Sequence, residues 1–149
     1  MLDEHISTFK HFQLWLYTKE VQKGESSDEF AWKSLLRLYV FADAHSIPEL
    51  QNAVIDTCID KSMDDKEAPF GGVVYVYKHT TEKSPLRRLF VDWAVAHSEE
   101  DWFIGPGGEQ MPRSFLLDLA KAHSLVSNGT KEIVQDFKAH RANYYVSDS

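Results

Sequence analysis

A single cysteine, Cys58, stands in a chain of 149 residues. It has no partner for an intramolecular disulfide. A secreted disulfide scaffold is therefore excluded, and a cysteine-rich zinc site with it. Basic residues are few beside acidic ones: 16 Lys and Arg against 23 Asp and Glu, a formal charge of −7. Domains that grip nucleic acid by its phosphates are usually basic, so no nucleic-acid partner is expected. The same charge disfavours an anionic membrane surface. No apolar run approaches the ~18 residues that a membrane span needs. The opening Met1-Leu2-Asp3-Glu4-His5 has neither the basic nor the apolar region of a secretory signal. An intracellular protein of cytoplasm or nucleus is the expectation.

Chemistry-bearing motifs are also scarce. The seven histidines, His5, His11, His45, His79, His97, His123 and His140, make neither His-Glu-x-x-His nor an i, i+4 pair. Metal sites need convergent ligands at such spacings, so no metal is expected. No Gly-x-Ser-x-Gly elbow is present. The run Gly105-Pro106-Gly107-Gly108 lacks the Gly-Lys-Ser/Thr of a phosphate loop and reads as a turn. Cys58 falls on an apolar helical stripe and reads as a buried structural thiol. Asp56 and Asp60, one turn apart, read as a solvated acidic face. No catalytic residue, cofactor or small-molecule substrate is expected.

What is abundant is amphipathic helix. Hydrophobic residues make up 43% and charged residues 26%, the balance of a folded globular chain. Leu2, Ile6, Phe9, Phe12 and Leu16 recur at three- and four-residue spacing and predict a helix over 4–18. A second helix is predicted over 29–45, with Trp32, Leu35, Leu36 and Tyr39 on one face. Ser46 with Glu49 fits a capping box, with Pro48 in the first turn, and opens a third helix over 47–61. Its stripe is Leu50, Ala53, Val54, Thr57 and Cys58, with Gln51, Asn52, Asp56 and Asp60 facing away. Residues 61–72, charged and then broken by Pro69 and Gly71-Gly72, are the boundary candidate. It separates a region 1–62 from a region 63–149 that shares or abuts the same core.

Val73-Val74-Tyr75-Val76-Tyr77 is a strand by propensity. A lone strand has no partner, so a helix imposed by tertiary context is the reading preferred. Ser84-Pro85 begins the next helix as N-cap and first residue. A helix over 112–125 carries Phe115, Leu116 and Leu119. Asn128-Gly129 makes a turn, and a last helix over 130–142 carries Ile133, Val134 and Phe137. The fold class expected is all-α or nearly so, an orthogonal array of about seven helices. Four Trp, six Tyr and nine Phe are present. Tyr17, Trp102, Phe103, Tyr144 and Tyr145 fall at helix ends or in loops, where aromatics anchor protein contacts when exposed.

Three segments together resemble a known family. Phe12-Gln13-Leu14-Trp15-Leu16-Tyr17-Thr18 is similar to the hydrophobic, Tyr-Thr-Gly segment that closes the third conserved helix of BTB/POZ domains. Leu36 to Leu50, with Ala42-Asp43 before a short turn, resembles their next helical pair. Val76 to Thr80, Ser84 to Leu89, Val91-Asp92-Trp93 and Phe115 to Ala120 resemble the helical C-terminal extension of a fungal-type branch. Lys19 stands where the family has glycine. The strands and first helices of a whole BTB domain have no counterpart here, so a truncated form is expected.

The resemblance implies a non-enzymatic interaction module whose partners are proteins: a second copy, or a cullin if the chain recruits substrates to a ubiquitin ligase. In the family Tyr17 and the helices after it help build the cullin-facing surface. Without the missing half, a sticky patch is expected around Phe9, Phe12, Trp15 and Tyr39.

Overall fold

The computed structural model describes residues 2–21, 29–65, 72–97 and 111–147. They form six helices: α1 (Leu2–Thr18), α2 (Glu29–Ala44), α3 (Pro48–Asp65), α4 (Val73–His79), α5 (Pro85–His97) and α6 (Arg113–Ser127). A 3-10 turn follows at Arg141–Tyr144. No strand occurs among the described residues. The fold is all-α, as the hydrophobic periodicity predicts. The chain divides into two compact units, one of Met1–Pro69 with Arg141–Ser149, the other of Phe70–His140.

In the first unit α2 packs against both α1 and α3. Its buried residues Trp32, Leu35, Leu36, Leu38, Tyr39 and Ala42 form one broad stripe, and half-buried Phe41 lies on the other side of the helix. Phe12 of α1 meets Phe41 of α2 at 5.1 Å between ring centroids. The buried stripe of α3 differs from the expected one. It runs through Leu50, Gln51, Val54, Ile55, Cys58 and Ile59, while Ala53 and Thr57 are half-buried. Gln51 does not face away: its amide donates to Asp43 Oδ1 at 3.4 Å. Polarity misplaced this face because a long amide can be buried once its polar end has a partner.

The capping box at Ser46 is not formed. Ser46 takes φ 55°, a left-handed conformation, whereas an N-cap residue is normally extended. Ser46 instead closes α2. Its N–H donates to Asp43 O and the N–H of Ile47 to Ala42 O, at 3.2 and 2.9 Å, the paired bonds of a Schellman motif. Ile47 then caps α3, its carbonyl accepting from Gln51 N at 3.1 Å. A left-handed L-residue costs about 1–2 kcal/mol, partly offset in the unfolded chain. Ser46→Gly is therefore expected to stabilise the chain by about 0.5–1 kcal/mol, read as a higher denaturant midpoint at unchanged slope. Lys19, at the position where the resembled family has glycine, is also left-handed, at φ 58°.

In the second unit, 73–77 is helical. Val73, Val76 and Tyr77 are buried while Val74 is exposed, a three–four spacing that a strand would not produce. The ring of Tyr75 meets that of His79 one turn later, tilted by 42° with centroids 4.4 Å apart. Ser84 starts α5 as expected, its carbonyl accepting from Arg87 and Arg88 at 3.1 and 3.4 Å. Helix α6 ends in a second Schellman motif at Gly129, φ 79°, with Gly129 N on Val126 O and Thr130 N on Leu125 O.

The helix expected over 130–142 does not form. Residues 132–136 are irregular and 137–140 are a turn. Asp136 Oδ1 accepts from Ala139 N at 3.1 Å, a local bond that competes with helix. Of the three expected core residues only Phe137 is fully buried, 6.2 Å from the ring of Trp93.

Candidate functional site

Helix α1 packs with one side and leaves another open. Thr8 and Trp15 are buried, and Phe12 is half-buried. Ile6, Phe9, Leu16 and Tyr17 are exposed, Phe9 at 49% and Tyr17 at 89%. With Gln13 between them, positions 6, 9, 13 and 16 lie along one helical stripe. The amphipathic pattern of α1 thus has two apolar faces, and α2 covers only one. Phe9 and Phe12 lie 6.1 Å apart, so the open face joins the covered one through aromatic contact.

These positions sort the expected patch. Phe9, Phe12 and Tyr17 reach solvent. Trp15, 3% exposed, and Tyr39, fully buried, do not. They are packing residues of the core and not part of the open face. Lys19 Nζ lies 4.4 Å above the Trp15 ring. Trp102 and Phe103 lie outside the described residues.

A second constellation was not legible as a site in the sequence. Asn52, Asp56 and Asp60 form a ladder of i, i+4, i+8 residues on α3, and the segment 141–147 lies across it. Asn52 makes two bonds to Val146: Nδ2 donates to its carbonyl at 3.1 Å, and Oδ1 accepts from its N–H at 2.7 Å. Tyr145 donates its hydroxyl proton to Asp56. Arg141 spans Asp56 and Asp60 at 3.2 and 2.9 Å. Burial, and then the bond to Asp56, pushes the Tyr145 phenol up to about 12, so it remains a donor. Tyr144 is buried beside these polar contacts. The acidic face of α3 is thus not simply solvated. The one signal in the sequence was the regular four-residue spacing of short polar side chains. Its partner lay 81 to 94 residues away.

The remaining polar groups of the second unit hold the structure together. Arg87 is buried; Nε donates to Thr80 Oγ1 and Nη2 to Tyr77 O, each at 2.9 Å, and Nη2 also to Thr80 O. Its guanidinium sits 4.3 Å over the Tyr77 ring. Tyr77 donates to Asp118 at 2.7 Å, and burial with that carboxylate raises its phenol well above the ordinary range. Lys131 pairs with Asp92 at 2.7 Å. Arg87, Asp92, Asp118 and Lys131 line a cavity of about 240 Å³, and each of them is already engaged by the partner named above. Cys58 is fully buried, and burial pushes its thiol up to about 12, so it is protonated at neutral pH. Among the described residues no group of three metal-ligating side chains converges, and no helix is long and apolar enough to cross a membrane.

Compared with protein-family models, curated proteins and solved structures, the chain matches none.

Proposed function

We propose that the chain is a non-enzymatic protein–protein interaction module of BTB/POZ type. The observation that supports this most is the open face of α1, where Ile6, Phe9, Leu16 and Tyr17 stand exposed on a helix already packed by its other side. Apolar side chains of this size each gain about 1.5–3 kcal/mol when fully buried, and aromatic residues dominate the energetics of contact surfaces. A protein that covers this face gains the same stabilisation that α1 draws from α2.

The test is light scattering on size-exclusion chromatography over a wide concentration range, with a hydrophobic dye as second readout. The chain is expected to self-associate or bind dye. The pair Phe9→Asp and Leu16→Asp is expected to remove both effects and to leave the unfolding transition within ~1 kcal/mol of the parent, because neither side chain is buried. A monodisperse parent chain that binds no dye overturns the reading.

The 89% exposure of Tyr17 favours a more specific form of the same function. In the resembled family this position helps face a cullin, and the chain would then recruit substrates to a ubiquitin ligase whose catalysis belongs to partners. Co-precipitation with a cullin that is lost in Tyr17→Ala separates this form from the general module.

A further inference from the structure

The chain has three asparagines, Asn52, Asn128 and Asn143, and one of them precedes a glycine. Asn128 is the C-cap of α6, with φ −90° and ψ 4°. Asn128, Gly129 and Thr130 are all exposed. Gly129 has φ 79°, and a Cβ built on it would meet nothing within 4 Å, so open space lies beside its Cα. The Asn128 side chain turns back along the backbone. Its Oδ1 accepts from the N–H of Thr130 at 2.9 Å, an Asx-turn. The hydrogen-bonded ring so closed contains both Cγ of Asn128 and the nitrogen of Gly129. Its donor is aimed at the oxygen that takes up charge when Cγ is attacked, which is the placement that stabilises an oxyanion.

We propose that Asn128 is a site of spontaneous deamidation in the folded chain, with the backbone nitrogen of Gly129 as nucleophile. The inference stands apart from the interaction-module reading. The nitrogen gives its proton to hydroxide and attacks Cγ, and the C=O electron pair moves onto Oδ1, where the Thr130 N–H meets it. The tetrahedral centre collapses, the C=O re-forms, and Nδ2 takes a proton from water and leaves as ammonia. The resulting succinimide adds one water at either carbonyl and opens to aspartate or isoaspartate. Before attack the Gly129 N–H must leave Val126 O, 3.2 Å away, the long end of the range for such bonds. Helix ends open at little cost. The other asparagines lack these features. Ala53 and Tyr144 follow them, each with a Cβ beside the nucleophile, and the Asn52 amide is held by both backbone groups of Val146. The product puts a carboxylate at the C-terminal end of α6, where the helix dipole disfavours it. Isoaspartate also lengthens the main chain by a methylene, which disturbs the bonds of Gly129 and Thr130 to Val126 and Leu125.

The test incubates the full-length chain at mildly alkaline pH, folded and, in parallel, unfolded in urea. Peptide mapping by mass spectrometry follows each asparagine, and an isoaspartate-specific methyltransferase labels the rearranged product. In the folded chain Asn128 is expected to convert at a rate within about tenfold of the unfolded one, while Asn52 and Asn143 stay intact. The rate is expected to rise with pH, because the nucleophile must lose a proton. Gly129→Ala is expected to slow conversion about tenfold by crowding the nitrogen. If that variant does not fold, as judged by circular dichroism, Asn128→Gln replaces it. Its extra methylene carries the amide away from the Gly129 nitrogen, and no conversion at 128 is expected. Conversion of Asn128 in urea alone, or in neither state, overturns the proposal, because the fold then protects the site or the site is inert. Equal conversion at Asn52 or Asn143, or an unchanged rate in Gly129→Ala, overturns it equally, because the turn then confers no selectivity.

Discussion

Arg87→Ala is expected to destabilise the chain by about 3 kcal/mol, or about 6–12 °C in melting temperature for a chain of this length. The side chain is buried, and it joins the end of α4 to the start of α5. The carbonyls of Tyr77 and Thr80 lie at the C-terminal end of α4, where helix carbonyls lack intrahelical partners. Alanine removes the donors and leaves the buried Tyr77 carbonyl without this bond. It also removes the cation from the Tyr77 ring.

Arg87→Lys is expected to recover less than half of the loss. A lysine carries one charge centre, whereas the guanidinium fork reaches the Thr80 hydroxyl and two carbonyls from a fixed plane. Denaturant unfolding of the three proteins provides the check. A loss below ~1 kcal/mol for the alanine variant would show that water replaces the fork, and the structural role assigned to Arg87 would be wrong.

Phe137→Ala is expected to cost about 3–5 kcal/mol, the range for a fully buried phenylalanine. The neighbouring substitution Ile133→Ala should cost less than ~1 kcal/mol, because Ile133 is 42% exposed. The contrast is the informative part. On an amphipathic helix over 130–142, residues 133, 134 and 137 would share one buried face and all would matter. In an irregular segment tied down at one point, only the ring packed near Trp93 and His97 matters. Comparable losses at 133 and 137 would favour the helix.

That segment shows where sequence reasoning runs out. Ile133, Val134 and Phe137 satisfy a helical period over a single turn, and so do many irregular segments. Gly129 ends α6, and Asp136 offers the backbone a competing local bond. Nothing in the apolar pattern weighs those two effects against helix formation. The error at Ser46 has the same origin. Ser-Ile-Pro-Glu satisfies a capping pattern, yet it also follows a helix that needs closing. In the structure the C-terminal bonds of α2 take Ser46, and Ile47 becomes the cap.

The segment 73–77 went the other way. Its β-branched and aromatic residues favour a strand, and only the absence of a partner strand argued for helix. Burial of Val73, Val76 and Tyr77 bears out that argument, since helix is the one backbone that turns all three inward. The candidate site was legible in part. Phe9, Phe12 and Tyr17 reach solvent as expected, whereas Trp15 and Tyr39 do not. Periodicity marks a residue as apolar and on a face; it does not say which face meets a neighbour.

By itself the sequence determined the helical class, five of the six helices by plain amphipathic spacing, and the start of α5 at Ser84-Pro85. These depend on neighbours within a few residues, where the three–four period and capping chemistry act. Only the tertiary structure decided which side of α1 is covered, how α3 is rotated, and that Asn52, Asp56 and Asp60 hold residues 141–146. Those outcomes depend on contacts across tens of residues. A polar side chain carries no local mark that tells a solvated aspartate from one awaiting an arginine 81 positions away.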